Sequence, residues 1–350
     1  RGLWLSSLVA DSRPSRVVAS TFHRPAPAVV DARPEPPMHE GMGLYYGDLH
    51  RHTDLSLCFP FYDGSIEDAY RYAIDVAPLD FLAITDHSRD LDHGNVDSLL
   101  WHRCMKEVTR HRVDGRFMPY FSYERSQGAT DHNVISLRQD MLRPHEPPLE
   151  SFWEELDGDT FTIPHATIAP PHESFNPVTW TIHDDAKRPL MELYQGFRDE
   201  TSMHIAKRAM SEGHHLGFIA ASDHCSTSAS YACVWAPERT HESIFRAMQS
   251  RRTFAATARV ELAWRLGDHW MGARMTTDET SLTFDCHYRG TAPIARVDLL
   301  MDGEVVETHA TNEGRFTMRH PGDGEHAFHV HVIQTDGNEA WGSPIWVTVE

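Results

Sequence analysis

The chain has no apolar run near the roughly 20 residues that cross a bilayer, so no membrane-spanning helix is expected. Cysteine is sparse: Cys58, Cys104, Cys225, Cys233 and Cys286 lie apart, with no Cys-x-x-Cys pair. An odd, scattered set argues against a disulfide framework and against a structural Cys₄ zinc site. No Gly-x-Ser-x-Gly occurs, and no cysteine stands in a context that would activate it, so no protein nucleophile is expected. Positive charge is also short, with 32 Lys and Arg against 51 Asp and Glu, a formal −19. That field disfavours nucleic acid and anionic membrane as partners. It leaves a small-molecule substrate open, even an anionic one, because bound divalent metals would reverse the sign locally. The cytoplasm is the favoured compartment, and nothing signals an oligomeric state. A chain beginning at Arg1 rather than Met implies an upstream segment that has been removed.

Histidine, by contrast, is plentiful. There are 25, dispersed along the chain rather than gathered in a tail, which suits a site assembled from distant segments. With 350 residues, 40% hydrophobic and 24% charged, the chain is globular and long enough for one large domain and a small one. Residues 1–42 carry Pro14, Pro25, Pro27, Pro34, Pro36 and Pro37 with little periodicity and read as an extended arm. From 43 to 258 short apolar runs alternate with helical periodicity, as at Ala69, Tyr70, Ala73, Ile74 and Ala77 behind the capping signature Ser65-Ile66-Glu67-Asp68. Strands are expected at 44–49, 81–85, 117–123, 133–137, 160–163, 190–193 and 216–221, with Pro119 pointing to a late start or an edge. These seven strands with interleaved helices imply an α/β fold, an imperfect (β/α) barrel. From 259 to 350 the polarity alternates with period two between turns such as Met301-Asp302-Gly303, which implies a small immunoglobulin-like β-sandwich.

Chemistry gathers where the strands end, since loops at the carboxyl ends of such a sheet converge on one mouth. The first strand runs into His50-Arg51-His52, the second into Asp86-His87, the third into Glu124 and the fifth into His165; the seventh ends in Asp223-His224. Only a short loop separates Glu124 from Asp131-His132-Asn133. An antiparallel pair is therefore expected, with Glu124 and His132 at the same mouth. Imidazoles with carboxylates suit zinc, manganese or iron and do not suit calcium. A carboxylate such as Glu124 has two oxygens and can bridge two ions, and a bridged pair supplies hydroxide near neutral pH.

Those motifs resemble the polymerase-and-histidinol-phosphatase (PHP) superfamily of metallohydrolases. Tyr46-Gly47-Asp48-Leu49-His50, Ala69-Tyr70-Arg71-Tyr72-Ala73, Leu79-Asp80-Phe81 and Ala221-Ser222-Asp223-His224 resemble its carbaryl-hydrolase branch, across about residues 43–258. The resemblance implies a distorted seven-stranded barrel with two or three divalent transition-metal ions at its carboxyl end. It implies that His50, His52 and Asp223 hold the first ion, that Glu124 bridges, and that His132 and His165 hold the second. His87 and His224 would hold a third. Two departures bear on that third ion. Relatives place Asp-Gly directly after the serine matching Ser56, whereas Leu57–Tyr62 intervene here before Asp63-Gly64, so Asp63 joins the ligands only if the insertion loops out. Relatives also often separate the last Asp and His by one residue, and here Asp223 and His224 are adjacent.

Glu124, Asp223 and His224 are thus the expected catalytic centre. Arg125 and Arg198 are candidates to orient a substrate, as is Arg51, and Tyr194 could donate to a developing oxyanion. His111, His145, His172, His183, His214 and His215 lack strand-end placement and read as surface; Trp264, Trp270, Trp341 and Trp346 read as sandwich core and domain contact. The expected activity is metal-dependent hydrolysis of a carbamate, ester or amide. Phosphoester hydrolysis, as in the wider superfamily, is the alternative, and a metal-stabilised binding module without turnover is a third reading.

Overall fold

The computed structural model describes residues 34–92, 99–127, 130–139, 147–164, 182–279, 281–310, 314–319 and 322–350. Most of the expected arm, His145, His165 and His172 lie outside the described residues. Residues 35–350 form one compact unit. Its first part contains β1 (Met38–His39), β2 (Met42–Asp48), α1 (Ile66–Asp75), β3 (Phe81–Ala83), α2 (Ser88–Asp92) and α3 (Leu99–His111). There follow β4 (Met118–Gln127), β5 (Thr130–Ser136), α4 (Leu149–Glu155), β6 (Thr160–Pro164), β7 (Leu190–Gln195) and β8 (Glu200–Thr201). Next come α5 (Met203–Ser211), β9 (Gly217–Ala221), β10 (Tyr231–Ala236), α6 (His241–Gln249) and β11 (Thr253–Ala256). The second part is all strand: β12 (Glu261–Leu266), β13 (His269–Trp270), β14 (Arg274–Thr277), β15 (Ser281–Arg289) and β16 (Ile294–Met301). It closes with β17 (Glu304–His309), β18 (Arg315–Arg319), β19 (Gly324–Gln334), β20 (Glu339–Gly342) and β21 (Ile345–Val349).

The α/β architecture is present. Strands β2, β3 and β4 are parallel neighbours, and β4, β5 and β6 then run antiparallel, as the short loop before Asp131 implied. Pro119 sits where β4 has only β3 beside it in register, because β5 joins from Phe121 onward; its missing N–H therefore breaks no ladder. Ser65 caps α1 with the full reciprocal bonding to Asp68. At the other edge β10 pairs antiparallel with β2, and β7 and β9 form a parallel pair of their own with β8.

Strand β10 had no counterpart in the sequence reading. It is apolar almost throughout and lies between β2 and β11, so it lacks the period-two pattern of a half-buried strand. At the carboxyl end of the stretch expected as an extended arm, β1 and β2 make a hairpin across Glu40 and Gly41, whose φ values of 48° and 80° are those of a two-residue primed turn.

In the second part β13, β12, β15 and β18 form one sheet, and β14, β21, β19 and β20 belong to another. Their facing side chains mesh, with the Phe284 and Phe328 rings 5.0 Å apart. The two parts are not separated by solvent. β11 pairs with β20, and Leu44, Tyr46 and Trp235 share one buried cluster with Trp264, Phe284 and Val330. Trp264, Trp341 and Trp346 are buried, with Trp341 stacked on Tyr194 and Trp346 against His215. Among the described residues no helix is long and apolar enough to cross a membrane.

Candidate metal centre

Three strand ends and their following turns meet at one point. Past β2 the backbone continues as an extension: Asp223 N–H donates to the His50 carbonyl at 2.8 Å and His52 N–H to the Asp223 carbonyl at 2.9 Å. Pleat alternation then puts His50 and His52 on one side of the extension. Past β3, Glu124 N–H donates to the Asp86 carbonyl at 3.1 Å, which brings Glu124 beside His87. Asp223 itself has φ +67° and Cys225 has +64°, the left-handed region that Asp tolerates better than most residues. This turn lets two consecutive side chains, Asp223 and His224, face the same cluster, which a regular strand end would forbid.

The ligand atoms converge. His50 Nε2 and His52 Nε2 are 3.1 Å apart, and Glu124 Oε2 lies 3.5 Å from the first and 2.9 Å from the second. Asp223 Oδ1 is 3.3, 3.2 and 3.2 Å from the Nε2 atoms of His50, His52 and His224. His87 Nδ1 is 3.4 Å from Glu124 Oε2. The His52 ring lies between those of His87 and His224, at 4.7 and 4.6 Å.

Partners behind the rings fix which nitrogen faces inward. His50 Nδ1 donates to Glu192 at 2.7 Å, leaving Nε2 as a bare lone pair. Ser56 does the same for His52. Its hydroxyl donates to Asp86 and accepts from the His87 N–H, so it is left to accept from His52 Nδ1, 2.9 Å away. His224 Nδ1 meets Asp63 Oδ2 at 2.9 Å. Bare nitrogens facing carboxylate oxygens need a cation between them, either a proton or a metal ion. Glu124 Oε2 is buried and has no hydrogen-bond partner among the described residues, as a ligand oxygen awaiting an ion would. The donor set therefore fits divalent metal.

The electrostatics agree. Burial opposes charge on His50 and His52, but Glu192 and Asp223 hold the first well above its ordinary value, and Asp223 with Glu124 lifts the second to about 9. Burial would raise Glu124 and Asp223, yet the surrounding imidazoles hold both far below the usual carboxylate range. Burial pushes His87 down to about 4, so it is neutral at pH 7. Burial pushes Asp48 up to about 6; its Oδ1 accepts from the N–H groups of His50 and Ser222 and ties β2 to β9.

Several expected residues stand elsewhere. In the β4–β5 register Glu124 is opposite Asn133 and Arg125 opposite His132. Alternation therefore puts His132 on the sheet face away from Glu124, a one-residue offset that the loop-length argument could not see. Arg125 is buried on that face, with its guanidinium over the Phe152 ring and bonded to the Pro147 carbonyl. The Tyr194 hydroxyl donates to Asp199, and Arg198 is exposed on the turn after β7. Asp63 is held by Arg51, His224 and the Cys225 N–H, so it positions His224 while staying within ligand reach of it. Arg51 is committed to Asp63, and Asp86 to Thr53 and Ser56 rather than to the cluster.

Three of the histidines read as surface are corrected by burial. His111 is stacked on Tyr70, and His214 and His215 are also buried, with His215 bonded to Glu325 of β19. The Tyr70 ring that covers His111 and the Glu325 carboxylate that meets His215 are remote in sequence, so no local pattern marked that burial. Three residues of the centre were missed. Glu192 is a lone carboxylate in an apolar strand, and Ser56 looked like loop. Cys58 sits on the insertion, and its sulfur comes within ligand range of the cluster.

The family described as a protein of unknown function, DUF3604, matches residues 194–282, the segment that carries Asp223 and His224. An uncharacterized protein of Chlamydia pneumoniae is 27% identical over 130 residues, 31% of this chain and 21% of its own length. The chain thus spans about a fifth of the curated relative it matches. Among solved structures, a two-domain protein from Bacteroides vulgatus, described as containing a predicted PHP-like metal-dependent phosphoesterase, is similar over 91% of this chain and 99% of that one. The TM-score is 0.50 at 15% identity. The likeness is one of fold alone.

Proposed function

We propose that this protein is a multinuclear metal-dependent hydrolase, its strands read as a distorted (β/α) barrel followed by an immunoglobulin-like lobe. The observation that supports it is the convergence of His50, His52, Glu124 and Asp223 with their lone pairs turned inward. These four would hold the ions, with His87 and His224 beside them and Asp63 behind His224. His165 remains a ligand by resemblance, whereas His132, on the face away from Glu124, does not. Zinc, manganese or iron would supply a nucleophile from water near neutral pH and Lewis-acid polarisation of the substrate. Glu192 and Ser56 keep the Nε2 atoms aimed at the centre, and His87, neutral at pH 7, adds a donor without adding charge.

The rim favours a small uncharged substrate such as an aryl carbamate, ester or amide. Phe59 and Phe197 pack edge-on at 5.3 Å beside His224, and Leu57, Phe61 and Tyr62 are exposed nearby in sequence. Apolar walls suit a ring and exclude water, whereas a phosphomonoester asks for cationic clamps. Arg51, the buried cation next to His52, is already paired with Asp63. Phosphoester hydrolysis is the second reading, favoured by the fold shared with a protein described as a phosphoesterase.

The test is a panel of aryl carbamates, aryl esters and aryl phosphates with one leaving group, offered to the metal-loaded protein. Carbamate or ester is expected to turn over faster; a clear preference for phosphate would hand the assignment to the second reading. Glu124→Gln is expected to lose metal and activity by orders of magnitude while staying folded. Native metal content in that variant would remove Glu124 from the centre.

A further inference from the structure

The insertion between Ser56 and Asp63 carries one chemically distinctive side chain. The Cys58 sulfur lies within 4.8 Å of ligand nitrogens of both His52 and His87, and also within 4.8 Å of ligand atoms of Asp63 and His224. Two ligands of one tetrahedral zinc lie roughly 3.3–3.8 Å apart, given bond lengths of about 2.0–2.3 Å. A sulfur within 4.8 Å of four donors, on an exposed residue, is about one ångström or less from the spacing of shared ligands and stands beside the centre on its solvent side.

The loop is fixed on both sides of the cysteine. Ser56 is bonded to Asp86 and Leu57 N–H donates to Asp90 at 3.0 Å. On the far side Phe59 packs 4.7 Å from the His224 ring, and its carbonyl accepts from Tyr62 and Asp63 N–H at 3.0 and 3.2 Å. Burial of its apolar side chains does not account for this order, since Leu57, Phe61 and Tyr62 are 63, 93 and 73% exposed.

We propose that Cys58 is a sulfur ligand of the metal centre, so that the ion itself ties the 57–62 insertion across the mouth. This rests on the metallohydrolase reading and deepens it. When the bond forms, the thiol proton leaves to solvent and the sulfur electron pair goes to the ion. A thiolate makes the centre softer and moves its preference from manganese toward zinc and cobalt. It also explains why an insertion can be accommodated at this position: the extra residues return a ligand to the centre.

The full chain, freed of metal and titrated with cobalt(II) alone, separates the outcomes. Wild type is expected to show the visible bands of bound cobalt and, in the near ultraviolet, a sulfur-to-cobalt charge-transfer band. Cys58→Ser, checked for folding by circular dichroism, should keep the visible bands and lose the charge-transfer band. Cys225→Ser, which alters the exposed thiol next to His224, should keep both. Zinc should likewise protect Cys58 from alkylation, read by mass spectrometry. Bound cobalt without the charge-transfer band, or a band that survives in Cys58→Ser, would overturn the ligand assignment and leave the hydrolase reading standing. No cobalt binding at all would overturn both.

Discussion

At the scale of single residues, the proposed metal centre depends on side chains that stand behind its candidate ligands. Glu192 is fully buried and bonded to His50 Nδ1. Removing it frees the ring to rotate and to present the wrong tautomer. Glu192→Ala is therefore expected to weaken metal affinity by about 10- to 100-fold, measured against a competing chelator, with little change in secondary structure. Unchanged affinity would mean that His50 is not a ligand or is oriented by something else. The same residue marks a limit of sequence reading. That His50, His52, Glu124, Asp223 and His224 stand near strand ends is legible from apolar runs that stop at polar residues. What each faces is not, because it turns on a one-residue register, as at His132, or on a positive φ, as at Asp223. Glu192 was invisible for a different reason: its role exists only because β7 lies close to the end of β2, and no local pattern states that.

At the scale of elements, periodicity found what was amphipathic and missed what was buried on all sides. Helix α1 announced itself by its cap and its apolar stripe, and the structure buries Ile66, Ala69, Tyr70, Ala73 and Ile74 as that stripe requires. Strand β10 has no exposed face and so no alternation to read. Strand β2 shows how tightly such a core is built. Gly47 is opposite Phe81 in the parallel ladder, and a Cβ there would fall 2.2 Å from the Phe81 ring. Gly47→Ala must push the ring or the strand aside, at about 1–3 kcal/mol for overpacking. The displaced segment leads directly into Asp48 and His50. Urea denaturation should show the loss of stability, and metal affinity should fall with it; an alanine variant of native stability would mean that the ring has somewhere else to go.

At the scale of the molecule, the two parts recognisable in the sequence behave as one body. Among the described residues the last helix ends at Gln249 and only strands follow, but β11 joins β20 and a single buried cluster runs across that change. Local patterns carry no information about such long-range pairing. The shared interior also contains a buried liability, His329 of β19. Its ring meets Phe218 of β9 edge-on at 5.5 Å, and neither ring nitrogen has a hydrogen-bond partner among the described residues. Burial, with His331 and Lys207 adding positive charge, pushes its pKa down to about 3. In the unfolded chain the same group titrates near 6.5. Between those values the unfolded chain binds a proton that the folded one refuses. The associated stability is therefore complete above about pH 6.5 and is lost as pH falls toward 3, at up to roughly 1.4 kcal/mol per pH unit. From pH 6.5 to 5 this residue alone should cost about 2 kcal/mol. His329→Leu removes the titrating group and keeps an apolar side chain against Phe218. Its unfolding free energy, followed by urea denaturation from pH 7.5 to 5, should fall less steeply than wild type by that amount. Parallel pH profiles for the two proteins would show that His329 is charged in the folded state or that water reaches it, and the acid sensitivity would then have to come from the metal centre instead.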